Sequence, residues 1–408
     1  MIGSGERARR HFALSFCLAA FACLLLRGAP PPLSSASQPA AEILRRTEST
    51  ALVLVVVRGS DIYIQTFGET SPGNGRKPTA DSLIRLCSIT KLFAADLLAR
   101  LAAENVIHLN DPLQRFAPDN ARVPTRTLQG NAARAITLQD LATHTSGLPR
   151  EVLPSPAKTP HFTFPGYAQR WTWLRRQKLL FPPGSRALYS NVAFDLLADA
   201  LQSAAHEPYP RLLAERITTP LGMHDTTFSP TPRQCGQLLR GSDSGGDCSD
   251  TTATTGSAGL YTTASDMSRW LGYLLNRQTA AAQAIYIDPA SLKSAQGLRH
   301  AGEPSGIGLG WLQLGKREEP FMILQKTGAG AGFATYLALN PSQHTGVFLA
   351  MTPHRWPINP FEAANNMLLA LSNLPPMPTR IDHPPAKNRA RKRPHARQPR
   401  KGTLPTTG

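Results

Sequence analysis

Ser88 and Lys91 stand three residues apart in "RLCSITKLFAADLLARLAAEN", at the start of an apolar helical pattern. Side chains at i and i+3 on a helix share a face and can touch. A serine near a helix N-terminus feels a field that favours a developing alkoxide. A lysine pushed into an apolar cleft loses basicity and can accept the serine proton. A helix-capping serine beside a solvated lysine has the same spelling, and Ser155 and Lys158 in "LPSPAKTPHF" repeat it between prolines, with no apolar helix behind them. The rest of the chain has to decide.

Two further stretches carry chemistry. In "PPGSRALYSNVAFDLLADAL", Tyr189 and Asn191 stand directly before an apolar helix. A tyrosine beside lysines can shuttle protons, because positive charge favours its phenolate. Asn191 can hold the lysine and a substrate amide by hydrogen bonds, or it can simply open the helix. In "ILQKTGAGAGFATYLALN", Lys326, Thr327 and Gly328 end a strand. The lysine and threonine can bind a carboxylate, and the glycine lets a ligand lie against strand backbone. Read blandly, that stretch is a strand entering a Gly-rich turn.

The elements that must position these residues follow from pattern. "ALVLVVVRGSDIYIQTFGE" predicts two strands joined at "RGSD", the first an apolar run covered on both faces. From about 105 to 310 the chain predicts mostly helices: "TLQDLATHT", "YAQRWTWLRRQKLL", "NVAFDLLADALQSAAH" and "ASDMSRWLGYLLN". Strand signals return in "PFMILQKTG", "GFATYLALNP" and "TGVFLAMTP", and "NPFEAANNMLLALSNL" closes the domain as a helix. Strands at both ends and helices between predict an α+β fold. Its antiparallel sheet is assembled from both chain ends and flanked by helices, with an inserted, mostly helical region and a cleft at the boundary.

The ends differ from the middle. Arg7, Arg9 and Arg10 precede "FALSFCLAAFACLLL" and then small residues. That run is shorter than the roughly 20 residues a membrane span needs, so residues 1–36 read as an export signal cut near Ala36 rather than a retained anchor. The domain then covers 37–374. Residues 375–408 form a Pro-rich, basic tail without apolar periodicity, expected to be disordered. Between Arg380 and Lys401 nine cations face Asp382 alone, so the tail holds much of the formal net charge of +17. It can attach to an anionic membrane or wall polymer. Basic tails also bind nucleic acid, a partner that export argues against.

After removal of the signal the chain keeps Cys87, Cys235 and Cys248. Cys235 and Cys248 flank "GQLLRGSDSGGD" and can close it as a disulfide in an oxidising compartment, or remain two thiols. Cys87 reads as small buried packing. No spacing of Cys, His and acidic residues suits a metal, and no cofactor is implied.

The ordered set S-x-x-K, Y-x-N, K-T-G resembles the serine acyl-transferases of the penicillin-binding protein and β-lactamase superfamily. The tyrosine-based second motif resembles the branch of class C β-lactamases and low-molecular-weight carboxypeptidases. "ITLQDLATHTSGLPR", "PLGMHDTTFSP" and "GSAGLYTTASDMSRWL" look like framework segments of that branch, so the likeness runs from about 50 to 374. It implies a β-lactamase/transpeptidase-like sheet and a role for each residue. Ser88 is then the acylated nucleophile, Lys91 its activator, Tyr189 the general acid or base for the leaving amine and Asn191 a positioner. Lys326, Thr327 and Gly328 bind the substrate and its terminal carboxylate, and the backbone N–H groups of Ser88 and Ala329 form the oxyanion hole. His144 falls in a framework turn.

The activity so implied is that of a periplasmic serine DD-carboxypeptidase/endopeptidase, cleaving D-alanyl bonds of peptidoglycan stem peptides through an acyl-enzyme. β-Lactams are its implied covalent inhibitors or poor substrates. A β-lactamase or esterase using the same serine is the nearest alternative, and a non-catalytic wall-binding protein the more distant one.

Overall fold

Eight strands build one antiparallel sheet, two from the N-terminal part of the chain and six from residues 285–351. A computed structural model describes residues 29–119, 121–127, 133–241, 246–276, 281–315 and 321–377. The strands are β1 (Ala51–Arg58), β2 (Asp61–Gly68), β3 (Ile285–Ile287), β4 (Gly306–Gly308), β5 (Leu312–Leu314), β6 (Ile323–Gly330), β7 (Phe333–Asn340) and β8 (Thr345–Met351). They lie in the order β2-β1-β8-β7-β6-β5-β4-β3. The N-terminal hairpin therefore docks against the last strand, with Leu52 opposite Met351 and Arg58 opposite Thr345.

β1 is apolar throughout because both its faces are covered. Leu52, Leu54 and Val56 point into one core with helix α1 (Ser37–Arg46) and the closing helix, while Val53, Val55 and Val57 point into the other. That larger core holds α2 (Thr90–Ala103), α3 (Leu138–Ala142), α4 (Tyr167–Leu174), α5 (Asn191–Ala205) and α6 (Ala264–Asn276). The closing helix, α7 (Pro360–Leu371), begins at Asn359, whose side chain accepts from the N–H groups of Phe361 and Glu362. α2 is buried on every side, as expected of a helix running through a domain centre. That places Lys91 in the interior.

Three findings differ from the sequence reading. β3 and β4 lie inside the stretch expected to be helical, and with β5 they extend the sheet to eight strands; the helical part of the insertion ends before Ile285. Three-residue strands are too short to show a period. The helix expected over "YAQRWTWLRRQKLL" stops at Leu174. Leu33 and Ala36 are buried in the second core ahead of α1, so the packed chain starts before the expected cut at Ala36. The apolar stretch read as an export signal and the tail beyond residue 377 lie outside the described residues. Among the described residues no helix is long and apolar enough to cross a membrane.

Cys235 and Cys248 form a disulfide, with Cα atoms 5.6 Å apart. A buried ion pair ties the helical region together. Arg170 of α4 donates Nε and Nη2 to the two carboxylate oxygens of Asp199 in α5, at 2.9 and 2.8 Å, and Nη1 to the carbonyls of Pro165 and Ala253. Asp199→Ala strands a guanidinium that is 2% exposed. It is expected to cost about 3–5 kcal/mol, seen as a lowered denaturation midpoint at unchanged m.

Candidate active site

α2 is preceded by a 3-10 turn, Cys87–Ile89, and Ser88 sits in that turn rather than on the helix proper. Cys87 adopts φ +52°, a left-handed conformation that costs a non-Gly residue roughly 1–2 kcal/mol. Such strain persists where the surroundings over-determine it. Here Thr335 Oγ1 donates to the Leu86 carbonyl at 2.9 Å, and the Cys87 thiol packs 3.4 Å from the Gly330 carbonyl oxygen. Burial pushes the Cys87 thiol up to about 12. It is an inert packing group, as its sequence context suggested.

The structure brings the three motifs together. Tyr189 OH donates to Ser88 Oγ at 2.7 Å. Lys91 Nζ reaches three acceptors: Ser88 Oγ at 3.4 Å, Asn191 Oδ1 at 2.6 Å and the Ser257 carbonyl at 2.7 Å. Lys326 Nζ lies 5.0 Å from the centre of the Tyr189 ring and donates to the Thr327 carbonyl at 3.1 Å. Lys91 Nζ and Arg150 Cζ lie 5.0 and 4.8 Å from the same ring centre. The serine and phenol oxygens thus meet among three cations.

Desolvation sets the electrostatics. Lys91 is fully buried, and burial lowers its pKa to about 7 against the pull of the Asp195 and Glu151 carboxylates. Burial also lowers Lys326 to about 8, the charges of Lys91 and Arg150 adding to the effect while Tyr189 opposes it. Each amine can therefore give or take a proton near neutrality. Lys91, when charged, has one acceptor for each of its three protons.

Tyr189 is aimed by its surroundings. Its N–H donates to the Gln296 carbonyl at 3.0 Å, an extension of the parallel pairing of Ala187–Leu188 with Ala295–Gln296. Gly297 allows the close approach: at φ +75°, a Cβ there would sit 2.8 Å from Tyr189 Cβ. His144 packs against the phenol with ring centres 4.5 Å apart and the planes tilted by 32°, and its Nδ1 accepts from the Ser190 N–H at 3.1 Å. Burial, together with the charges of Lys326 and Lys91, holds His144 far below the usual imidazole range. It is a neutral spacer, in keeping with its expected framework place.

β6 supplies the remaining wall. Its ladder with β5 stops at the pair Leu312–Gln325, so Lys326 to Gly330 extend past that neighbour. A Cβ on Gly328 would lie 2.2 Å from Thr335 Oγ1 and 3.0 Å from the Ser88 nitrogen. Only glycine lets the strand run this close to the serine. Thr327 is half-buried and Ala329 exposed on the same segment. An edge of this kind can take an added strand of peptide. Ser155 and Lys158 lie instead in the loop between α3 and α4, away from any helix.

Four residues that touch or tune this cluster were not singled out from the sequence. Glu151 accepts from Asn191 Nδ2, which turns Asn191 Oδ1 toward Lys91. Ser257 supplies a carbonyl, and its own N–H and Oγ donate to buried Asp195 at 2.9 and 3.0 Å. Burial raises Asp195 to about 6, with Arg170 and Lys91 opposing. Arg150 lies over Tyr189. Asp195 alone had a legible signal: it is four residues after Asn191, hence on the same helix face.

Comparison with known proteins accords with this geometry. A family model described as Beta-lactamase matches residues 41–374. The chain is 40% identical over 340 residues to the D-alanyl-D-alanine-carboxypeptidase/endopeptidase AmpH of Escherichia coli K12, covering 81% of this chain and 86% of that one. It is also 40% identical to a beta-lactamase/D-alanine carboxypeptidase from Yersinia pestis, solved in complex with citrate. That likeness has a TM-score of 0.78 and covers 83% of this chain and 98% of the other. A class C beta-lactamase, 17% identical at a TM-score of 0.66, shares the fold. Matched over most of its length by both the family model and these relatives, the chain belongs to the beta-lactamase family.

Proposed function

We propose that this protein is a serine DD-carboxypeptidase and endopeptidase that cleaves D-alanyl bonds in peptidoglycan stem peptides. One observation carries the reading: the contact of Tyr189 OH with Ser88 Oγ, held against a desolvated Lys91 beside the extended edge of β6. The stem peptide lies along Lys326 to Gly330 as an added strand. Ser88 Oγ attacks the carbonyl carbon of the penultimate D-alanine and passes its proton to the Lys91–Tyr189 pair. The carbonyl oxygen becomes an oxyanion, held by the N–H groups of Ser88 and Ala329; losing one such donor typically costs about 3–4 kcal/mol. The C–N bond then breaks, and Tyr189 hands a proton to the leaving amine. Water adds to the ester by the reverse route and frees Ser88. Asn191, fixed by Glu151, keeps Lys91 on the serine, and Lys326 and Thr327 take the terminal carboxylate.

β-Lactams present the same groups in a ring and acylate Ser88 as covalent inhibitors or poor substrates. The arginine-flanked apolar N-terminus directs export to the periplasm, and the basic tail provides a salt-sensitive attachment to anionic lipid or wall polymer. A buried amine held near pKa 7 costs stability, which speaks against a purely adhesive role. Incubation with cross-linked muropeptides should release D-alanine and split dimers, while cephalosporins turn over slowly or not at all. Rapid cephalosporin turnover with muropeptides untouched would replace this reading with that of a β-lactamase.

A further inference from the structure

The cations around Tyr189 are more numerous than proton transfer requires. Lys91 is committed to its three acceptors. Lys326 is buried and donates to a backbone carbonyl. Arg150 is different: its side chain is 57% exposed, yet its guanidinium carbon lies 4.8 Å from the centre of the Tyr189 ring. The nearest carboxylate is Glu151, 3.7 Å away and 40% exposed, whose Oε1 also accepts from Asn191. A solvated pair at that distance holds a guanidinium weakly. Arg150 therefore presents an open fork of donors at the mouth of the cleft, with its backbone fixed where its carbonyl accepts the Asn191 N–H at 2.8 Å.

We propose that Arg150 is a specificity-determining residue that, with Lys326, grips the free carboxylate of the leaving residue. The proposal rests on the peptidase reading above and extends it. In that reaction Tyr189 protonates the leaving amine, and the leaving residue's carboxylate is attached one carbon from that nitrogen. Cations that bracket the phenol therefore bracket the carboxylate. A planar guanidinium meets a carboxylate through two parallel hydrogen bonds, which a lysine cannot reproduce. A released D-alanine carries such a carboxylate, and a cross-link whose amine-bearing carbon also holds a carboxylate would meet the same anchor.

The test compares two peptides ending in D-alanyl-D-alanine and in its C-terminal amide. Arg150→Ala should raise the ratio of KM for the acid to KM for the amide roughly ten- to hundred-fold, the scale of a lost charge-assisted hydrogen bond, while any effect through Tyr189 and Lys326 falls on both peptides alike. Arg150→Lys should restore part of the difference. Acylation of Ser88 by benzylpenicillin and by its methyl ester gives the same comparison without a peptide. Equal loss on acid and neutral substrates, or no loss on either, overturns the proposal. If no peptide is cleaved but the penicillin pair responds as stated, the peptidase reading fails and the anchor stands.

Discussion

Ser88→Ala is expected to abolish covalent labelling by fluorescent penicillin and to lower D-alanine release by at least roughly 10⁴-fold. The substitution removes the oxygen that Tyr189 and Lys91 both touch. On the proposed mechanism what remains, an oxyanion hole and a peptide-binding edge, would polarise a carbonyl with nothing poised to attack it. The fold should survive: Ser88 lies in a 3-10 turn packed among Leu86, Cys87 and Ile89, and alanine fits the same backbone. Its circular dichroism and denaturation midpoint should stay close to those of the parent. Labelling that persists in the variant would mean that another nucleophile carries the acyl group. Cys87 is a poor substitute, because burial keeps its thiol protonated.

Long apolar patterns and local motifs were legible in the sequence. β1 showed its two-sided burial as an unbroken run of valines and leucines, and the last three strands were bounded by "TGAGAG" and "NPSQHTG". The ordered triplet of motifs stated which side chains had to converge, and the distances at Ser88, Lys91, Tyr189 and Asn191 bring them together. The meeting itself could not be read from spacing, since Ser88 and Tyr189 are 101 positions apart.

What stayed hidden depends on tertiary placement. β3, β4 and β5 hold three residues each; β4 and β5 are buried throughout and β3 is not, so none shows an alternation of its own. Ser257 acts through a backbone carbonyl, which leaves no mark on residue type. Glu151 matters because of what it does to Asn191, a contact between separate elements. Arg150 reads as one more surface cation in a chain with many. The left-handed Cys87 was equally invisible: nothing local calls for φ +52°, and the crowding of β6 and β7 against the 3-10 turn imposes it.

Lys91→Arg is expected to lower the acylation rate by roughly 10²–10⁴-fold, the range for loss of a general base, and to remove the pH dependence that the parent should show near neutrality. Desolvation in α2 lowers Lys91 to about 7, so the fraction of neutral amine grows as pH rises through that value. The parent kcat/KM for acylation should climb along the same limb. A guanidinium stays protonated across the whole range, cannot accept the serine proton, and offers no such limb. The sign for stability runs in the same direction. The unfolded chain, with Lys91 at its ordinary value of 10.5, binds more protons than the folded one between about pH 7 and 10.5. Stability contributed at this site therefore rises with pH over that window. The buried Asp195 carboxylate pulls Lys91 upward, so Asp195→Asn, which keeps the shape beside Ser257, should move the acidic limb to lower pH. Stopped-flow acylation between pH 5 and 9 reads both effects. A parent profile that is flat there, or an Arg variant that keeps the limb, would remove Lys91 from the role of proton acceptor and leave Tyr189 as the base.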